Sequence, residues 1–223
     1  PVPSAEEGEL GEIVHVHWHI GSLVTLMNSR SNYQATLPGA LMLDYAHQPD
    51  QLLWMTGQRP TSVYAAGSQL GDLPKTSDPN VVALVFTFPS GLIATINLNY
   101  VQDPDCAPHL PTLPPPLCLT DSLRAGGSVQ VTGDKGWATL EDTAEPKRVR
   151  VGRAGQEGEE VIEVGYERDD MFREEHQMFV ACMKGERGPE TSAAEALVVQ
   201  RMILLGTESW RTGLPVRFPD ARL

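Results

Sequence analysis

The chain has 223 residues, a mass of 24.3 kDa and a formal net charge of -12. That length holds one large domain with a real core, or at most two small ones. The acidic balance repels nucleic acid and anionic membrane, so neither is expected as a partner, and no stretch approaches the run of about 20 apolar residues that a membrane helix needs.

Cys106, Cys118 and Cys182 are odd in number and irregular in spacing, which argues against a disulfide framework. With no signal peptide in view, the expected compartment is reducing and cytoplasmic. The chain begins at Pro1 rather than Met, as expected of a processed or truncated piece of something longer.

Residues 1–10 are polar and predict a flexible segment, followed by a domain over 11–223. From Ile13 to Ile20, Val14, Val16, Trp18 and Ile20 alternate with His15, His17 and His19, the period of a strand. Residues 24–36 are polar and irregular. A helical pattern runs from Leu37 to Met55, with Pro49 expected to kink or restart it and Gly57 to close it.

Thr61–Ser68 predicts a short strand. Val81–Phe88 and Leu92–Tyr100 predict a hairpin around Pro89–Ser90–Gly91. Residues 103–126 hold Pro114–Pro115–Pro116 and no period, and read as a long proline-rich surface insertion. Ser128–Thr132 and Trp137–Glu141 form a second hairpin pattern, and Arg148–Val151 with Glu160–Val164 a third. Asp169–Lys184 is an amphipathic helix. Thr191–Thr212 is another, opened by a Ser192…Glu195 capping box and stopped by Gly213 before an edge strand at Val216–Phe218. Strands segregated from helices predict an α+β fold: a large, mostly antiparallel open sheet with helices packed on one face. The other face needs a cover, which a homo-oligomer supplies.

Asp44, His47 and Asp50 follow at i, i+3 steps, so a continuous helix would place them on one face. An imidazole near neutral pKa can take a proton from a hydroxyl, and a carboxylate one turn away can orient it; a hydrogen-bonded core histidine is the bland alternative. Trp54, Tyr45, Tyr64 and Tyr100 can line a pocket or simply pack the core. Of these, Tyr45 and Tyr100 are the substrate-binding candidates. His15–Val16–His17 has a chelating spacing on a strand, about 6.6–7 Å, but no acidic or cysteine ligand is tied to it, so no metal site is assigned. Cys106, His109 and Cys118 are too sparse for structural zinc. A metal-dependent hydrolase built on the strand histidines is the weakest reading. No Gly-x-Gly-x-x-Gly, phosphate-binding loop or Gly-x-Ser-x-Gly occurs, so no cofactor-binding residue is assigned.

The run Gly39–Ala40–Leu41–Met42–Leu43–Asp44–Tyr45–Ala46–His47–Gln48–Pro49–Asp50 resembles the C-terminal domain of the glucose-fructose oxidoreductase/inositol dehydrogenase/MocA family, in a branch with Asp-x-x-His spacing. Asn97–Gln102 is similar to that branch's strand end, and Asp169–Phe179 through Thr191–Gly213 to its closing helices. The resemblance covers most of residues 9–218. It implies the substrate-binding and oligomerisation domain of an NAD(P)-dependent oxidoreductase acting on a sugar, inositol or related polyol. NAD or NADP would be held by a dinucleotide-binding domain in cis, and none is expected on this chain alone. Carried over, His47 is the proton-transfer residue, Asp44 its partner or a hydroxyl contact, and Asp50 a structural acceptor. The departures are Pro38 for the first motif glycine, Asp103 for an Arg, and no Rossmann domain, Glu-Lys-Pro motif or catalytic lysine in the 223 residues. A stand-alone, non-catalytic binding or assembly module is the alternative.

Overall fold

Nine strands form a single sheet in the order β8-β7-β6-β5-β1-β4-β3-β2-β9 in a computed structural model that describes residues 9–21, 33–69, 79–101, 126–141, 146–165 and 168–219. The proline-rich stretch, with Cys106, His109 and Cys118, lies outside the described residues up to Gly126, as do residues 1–8. Glu9 and Leu10, at the end of the expected flexible segment, are held: Arg153 pairs with Glu9 at 3.1 Å and the Lys135 N–H donates to the Leu10 carbonyl at 3.0 Å.

The strands are β1 Ile13–Gly21, β2 Ser62–Ser68, β3 Val81–Thr87, β4 Ile93–Asn99, β5 Gly126–Gly133, β6 Gly136–Glu141, β7 Lys147–Arg153, β8 Glu160–Val164 and β9 Val216–Arg217. Their alternation sets the two faces. Val16 and Trp18 of β1, Leu84 and Phe86 of β3, and Ala94, Ile96 and Leu98 of β4 are buried toward the helices. Full burial of each large side chain contributes about 1.5–3 kcal/mol. The intervening positions make the open face. There His15, His17 and His19 sit in register between Ile93, Thr95 and Asn97 of β4 and Thr132, Gln130 and Ser128 of β5. The sheet is antiparallel except for β1 and β4, which run parallel.

The expected helix over 37–55 is two helices, α2 Ala40–Asp44 and α3 His47–Thr56, preceded by a short α1 Tyr33–Thr36 in the stretch read as irregular. The break falls at Tyr45–Ala46, one turn before Pro49. A proline ring excludes the carbonyl of residue i−4 from helical geometry, and here that residue is Tyr45. Pro49 itself sits in the first turn of α3, where an N–H has no intrahelical acceptor to lose. Gly39 caps α2 with φ 84, and a Cβ there would lie 3.2 Å from Thr207 Cγ2, so backbone conformation and packing both call for glycine.

Two further helices close the chain, α4 Arg168–Met183 and α5 Ala193–Thr212. The capping box of α5 forms as expected, with Glu195 N–H on the Ser192 hydroxyl at 3.2 Å and Ser192 N–H on the Glu195 carboxylate at 2.6 Å. α5 buries Met202, Ser209 and Gly206 against the sheet. Gly206 allows close approach, since a Cβ there would lie 3.1 Å from Leu84 Cδ2 and 3.7 Å from Met42 Sδ. The stripe on α4 stays open instead: Phe172, Phe179 and Met183 are exposed among the described residues.

Candidate active site

The site is assembled where α2 ends, α3 begins and β4 runs out. Asp44 is the last residue of α2 and His47 the first of α3, with Tyr45 in the break between them. Tyr100 follows β4 directly, and its backbone N–H is pinned to the Asn80 carbonyl at 3.0 Å. Its ring is buried and its hydroxyl donates to Asp44 Oδ2. Gln34 of α1, itself buried, points its Nε2 at the same oxygen from 3.5 Å. Asp44 Oδ1 accepts nothing from the described residues.

Aromatic contacts link the rest. The Tyr45 ring centroid lies 6.1 Å from that of Tyr100 and 6.0 Å from that of His47. His47 is exposed at its edge, and its ring nitrogens have no hydrogen-bond partner among the described residues. The sequence expects Asp44 to orient this ring from one turn away. The helix break replaces that contact with charge proximity and a tyrosine wall. Asp50 is half-buried in the first turn of α3, where an acid suits the helix dipole.

Burial pushes the Asp44 carboxyl above its ordinary value, while the Tyr100 bond and the His47 charge pull the other way. Burial lowers His47, and the Asp44 charge opposes it. The Tyr45 phenol is pushed up to about 12, by burial first and then by the Asp44 charge. Tyr100 is raised further, by burial and by its bond to Asp44. The arrangement therefore presents a neutral imidazole open to solvent, a carboxylate oxygen free to accept, and two phenols that keep their protons.

Two polar atoms in this cluster are buried without a partner among the described residues, the Tyr45 hydroxyl and Gln48 Oε1. Sequence reasoning missed Gln34 and Gln48. Nothing in the irregular stretch marks Gln34, but Leu41, Tyr45, Gln48 and Leu52 follow helical spacing and are all buried. Two other candidate pocket aromatics stand elsewhere. Trp54 is 76% exposed and Tyr64 lies on the open sheet face.

On that face the rings of His15 and His17 stack at 6.3 Å, and His17 Nδ1 lies 2.8 Å from Thr95 Oγ1. Among the described residues no group of three or more His, Cys, Asp or Glu side chains is arranged to hold a metal ion. Nor do they fit a dinucleotide. The parallel pair β1/β4 has no glycine turn leading from a strand into a helix N-terminus, the geometry that cradles a pyrophosphate.

A model of the GFO/IDH/MocA C-terminal domain matches residues 5–139. The chain belongs to this family. Solved structures of the same fold include an aldose-aldose oxidoreductase from Caulobacter crescentus complexed with glycerol, 18% identical with a TM-score of 0.73 over 95% of this chain and 57% of that one. The myo-inositol 2-dehydrogenase of Lactobacillus plantarum is 18% identical with a TM-score of 0.67 over 96% of this chain and 59% of its own. The scyllo-inositol dehydrogenase of Lactobacillus casei, with bound NAD(H) and scyllo-inositol, is 18% identical with a TM-score of 0.65 over 95% and 58%. The GFO/IDH/MocA chain described here thus spans under three-fifths of the length of these structures. No curated protein matches it in sequence. Among the described residues no helix is long and apolar enough to cross a membrane.

Proposed function

We propose that the chain is the substrate-binding and oligomerisation domain of an NAD(P)-dependent oxidoreductase acting in the cytoplasm on a sugar, inositol or related polyol. The observation that carries this is the placement of Asp44 and His47 on either side of one helix break, within electrostatic reach of each other, with the His47 ring open and its nitrogens without a hydrogen-bond partner among the described residues. The redox chemistry belongs to a dinucleotide held on a separate domain in cis. This chain supplies the proton chemistry. His47, kept neutral by its lowered pKa, accepts the proton of the hydroxyl that becomes a carbonyl, and returns it in the reverse direction. Asp44 Oδ1 accepts from a hydroxyl on the substrate. Tyr45 and Tyr100 are the buried aromatic support of the site, and the Tyr45 hydroxyl, without a partner among the described residues, is left to meet a substrate hydroxyl.

The open sheet face supports the oligomer part of the reading. The strands β5, β1, β4, β3 and β2 contain no Asp, Glu, Lys or Arg. Two copies that each carry a charge of -12 meet with least repulsion across such a face. Five strands at about 4.8 Å spacing and about 23 Å length present roughly 550 flat Å² per copy, before side-chain relief is added. That is of the order a stable dimer needs, about 800 Å² of accessible surface per partner.

His47→Asn in the protein carrying both domains tests the assignment. Turnover of a polyol substrate falls about 10²- to 10⁴-fold if His47 moves the proton, and unchanged turnover removes the assignment. That the described residues form no dinucleotide cradle favours a second reading, a stand-alone binding module. The mass of the protein as its source makes it separates the two. A mass above 24.3 kDa by a domain of about 100–150 residues supports the dehydrogenase, and a mass near that value supports the module.

A further inference from the structure

Tyr100 occupies a position that a substrate contact does not explain. Its side chain is 1% exposed, its backbone is pinned at the end of β4 by Asn80, and its hydroxyl is committed to Asp44 Oδ2. Its ring lies against Tyr45, whose ring in turn lies against His47. The side chain at the end of β4 therefore touches one end of the helix break directly, through the hydrogen bond to Asp44, and the other through the Tyr45 ring that packs on His47. The break leaves those two residues on separate short helices, with no hydrogen bond between them to fix their spacing.

We infer that Tyr100 is the positioning residue of this site: it holds the Asp44 carboxylate with its hydroxyl and, through Tyr45, holds the His47 ring with its own. This rests on the reading of Asp44 and His47 as the reacting pair. The phenol is suited to the task, because burial keeps it protonated and so a permanent donor. Among the described residues Tyr100 and His47 are the titratable groups that act on Asp44, Asp44 in turn raises Tyr45, and Gln34 adds a neutral donor. A donor to the ionised carboxyl favours that form, so losing the bond raises Asp44.

Tyr100→Phe keeps the ring and deletes the bond. In the 223-residue chain with labelled aspartate, the Asp44 carboxyl is expected to titrate about one unit higher by NMR, a tenfold gain in proton affinity. An unmoved Asp44 overturns the inference. The unmutated chain gives an independent reading. The Tyr100 hydroxyl proton should exchange slowly and shift as Asp44 titrates, and a hydroxyl that ignores Asp44 also overturns it. In the protein carrying both domains, the same substitution is expected to lower kcat about tenfold with KM within twofold. A raised KM at unchanged kcat marks Tyr100 as a direct substrate contact and overturns the inference. His47→Asn, run alongside, separates the two readings. Full turnover there with a shifted Asp44 in Tyr100→Phe removes the proposed function and leaves the bond standing. Lost turnover with an unshifted Asp44 removes the positioning role alone.

Discussion

The carbonyl of Tyr45 lies four residues before Pro49, and the helix breaks at that carbonyl. Gln48 N–H takes it in a tighter turn at 3.3 Å, and α3 restarts from His47. Pro49, buried in the first turn of α3, therefore sets the geometry of the site through the backbone. Pro49→Ala lifts the exclusion at Tyr45 and lets α2 run on toward α3, turning His47 relative to Asp44. On the proposed function, turnover in a protein carrying both domains is expected to fall about tenfold. The melting temperature should move by no more than about 4 °C, the equivalent of roughly 1 kcal/mol for a domain of this size. Intact turnover would mean that something other than Pro49 holds the break.

A second prediction concerns the open sheet face. His17 is lowered from its ordinary value by burial and by the neighbouring His15 and His19. The flanking strands place Thr95 and Gln130 beside it, and neither offsets a positive charge. A depressed folded-state pKa contributes stability that is present above the unfolded value of about 6.5 and is lost as pH falls through the folded one. The domain should therefore melt lower at pH 5.0 than at pH 7.5, and on the proposed dimer the same titration loosens self-association. His17→Asn keeps a polar partner for Thr95 and should shrink the pH-dependent loss of melting temperature. A loss of equal size in that variant would assign the effect to other groups.

Much of this fold was legible because its signals are local. The alternation of Val16 and Trp18 against His15 and His17, the Gly91 turn with φ 91 and the Ser192–Glu195 box each depend on a few adjacent residues, and each formed. Pairing partners are not local. Nothing in β1 says that it runs parallel to β4, because period two fixes which side chains share a face and not which strand lies alongside. The site divides the same way. Asp44 and His47 could be singled out by residue type and spacing. Their dependence on Tyr100, 56 residues beyond Asp44 in the chain, could not. Trp54 shows the limit from the other side: an aromatic in a helical pattern gave no sign that its face was solvent.

The last prediction sets stability against binding. The Tyr45 side chain is 5% exposed, and its hydroxyl has no partner among the described residues. A buried hydroxyl left unmade costs about 1–3 kcal/mol. Tyr45→Phe removes that hydroxyl and keeps the ring contacts to Tyr100 and His47. The variant should melt about 2–4 °C higher, the equivalent of roughly 1 kcal/mol at this length. If the hydroxyl is held in reserve for a polyol, KM in the two-domain protein should rise about fivefold at nearly unchanged kcat, the loss of one neutral hydrogen bond of about 1 kcal/mol. A stable domain with poorer binding is the pattern of a residue whose strain serves a ligand. A variant that melts lower would mean that the hydroxyl is already satisfied in the folded protein. A variant that melts higher with KM unchanged would leave Tyr45 as core packing and move the search for the hydroxyl contact to Gln48.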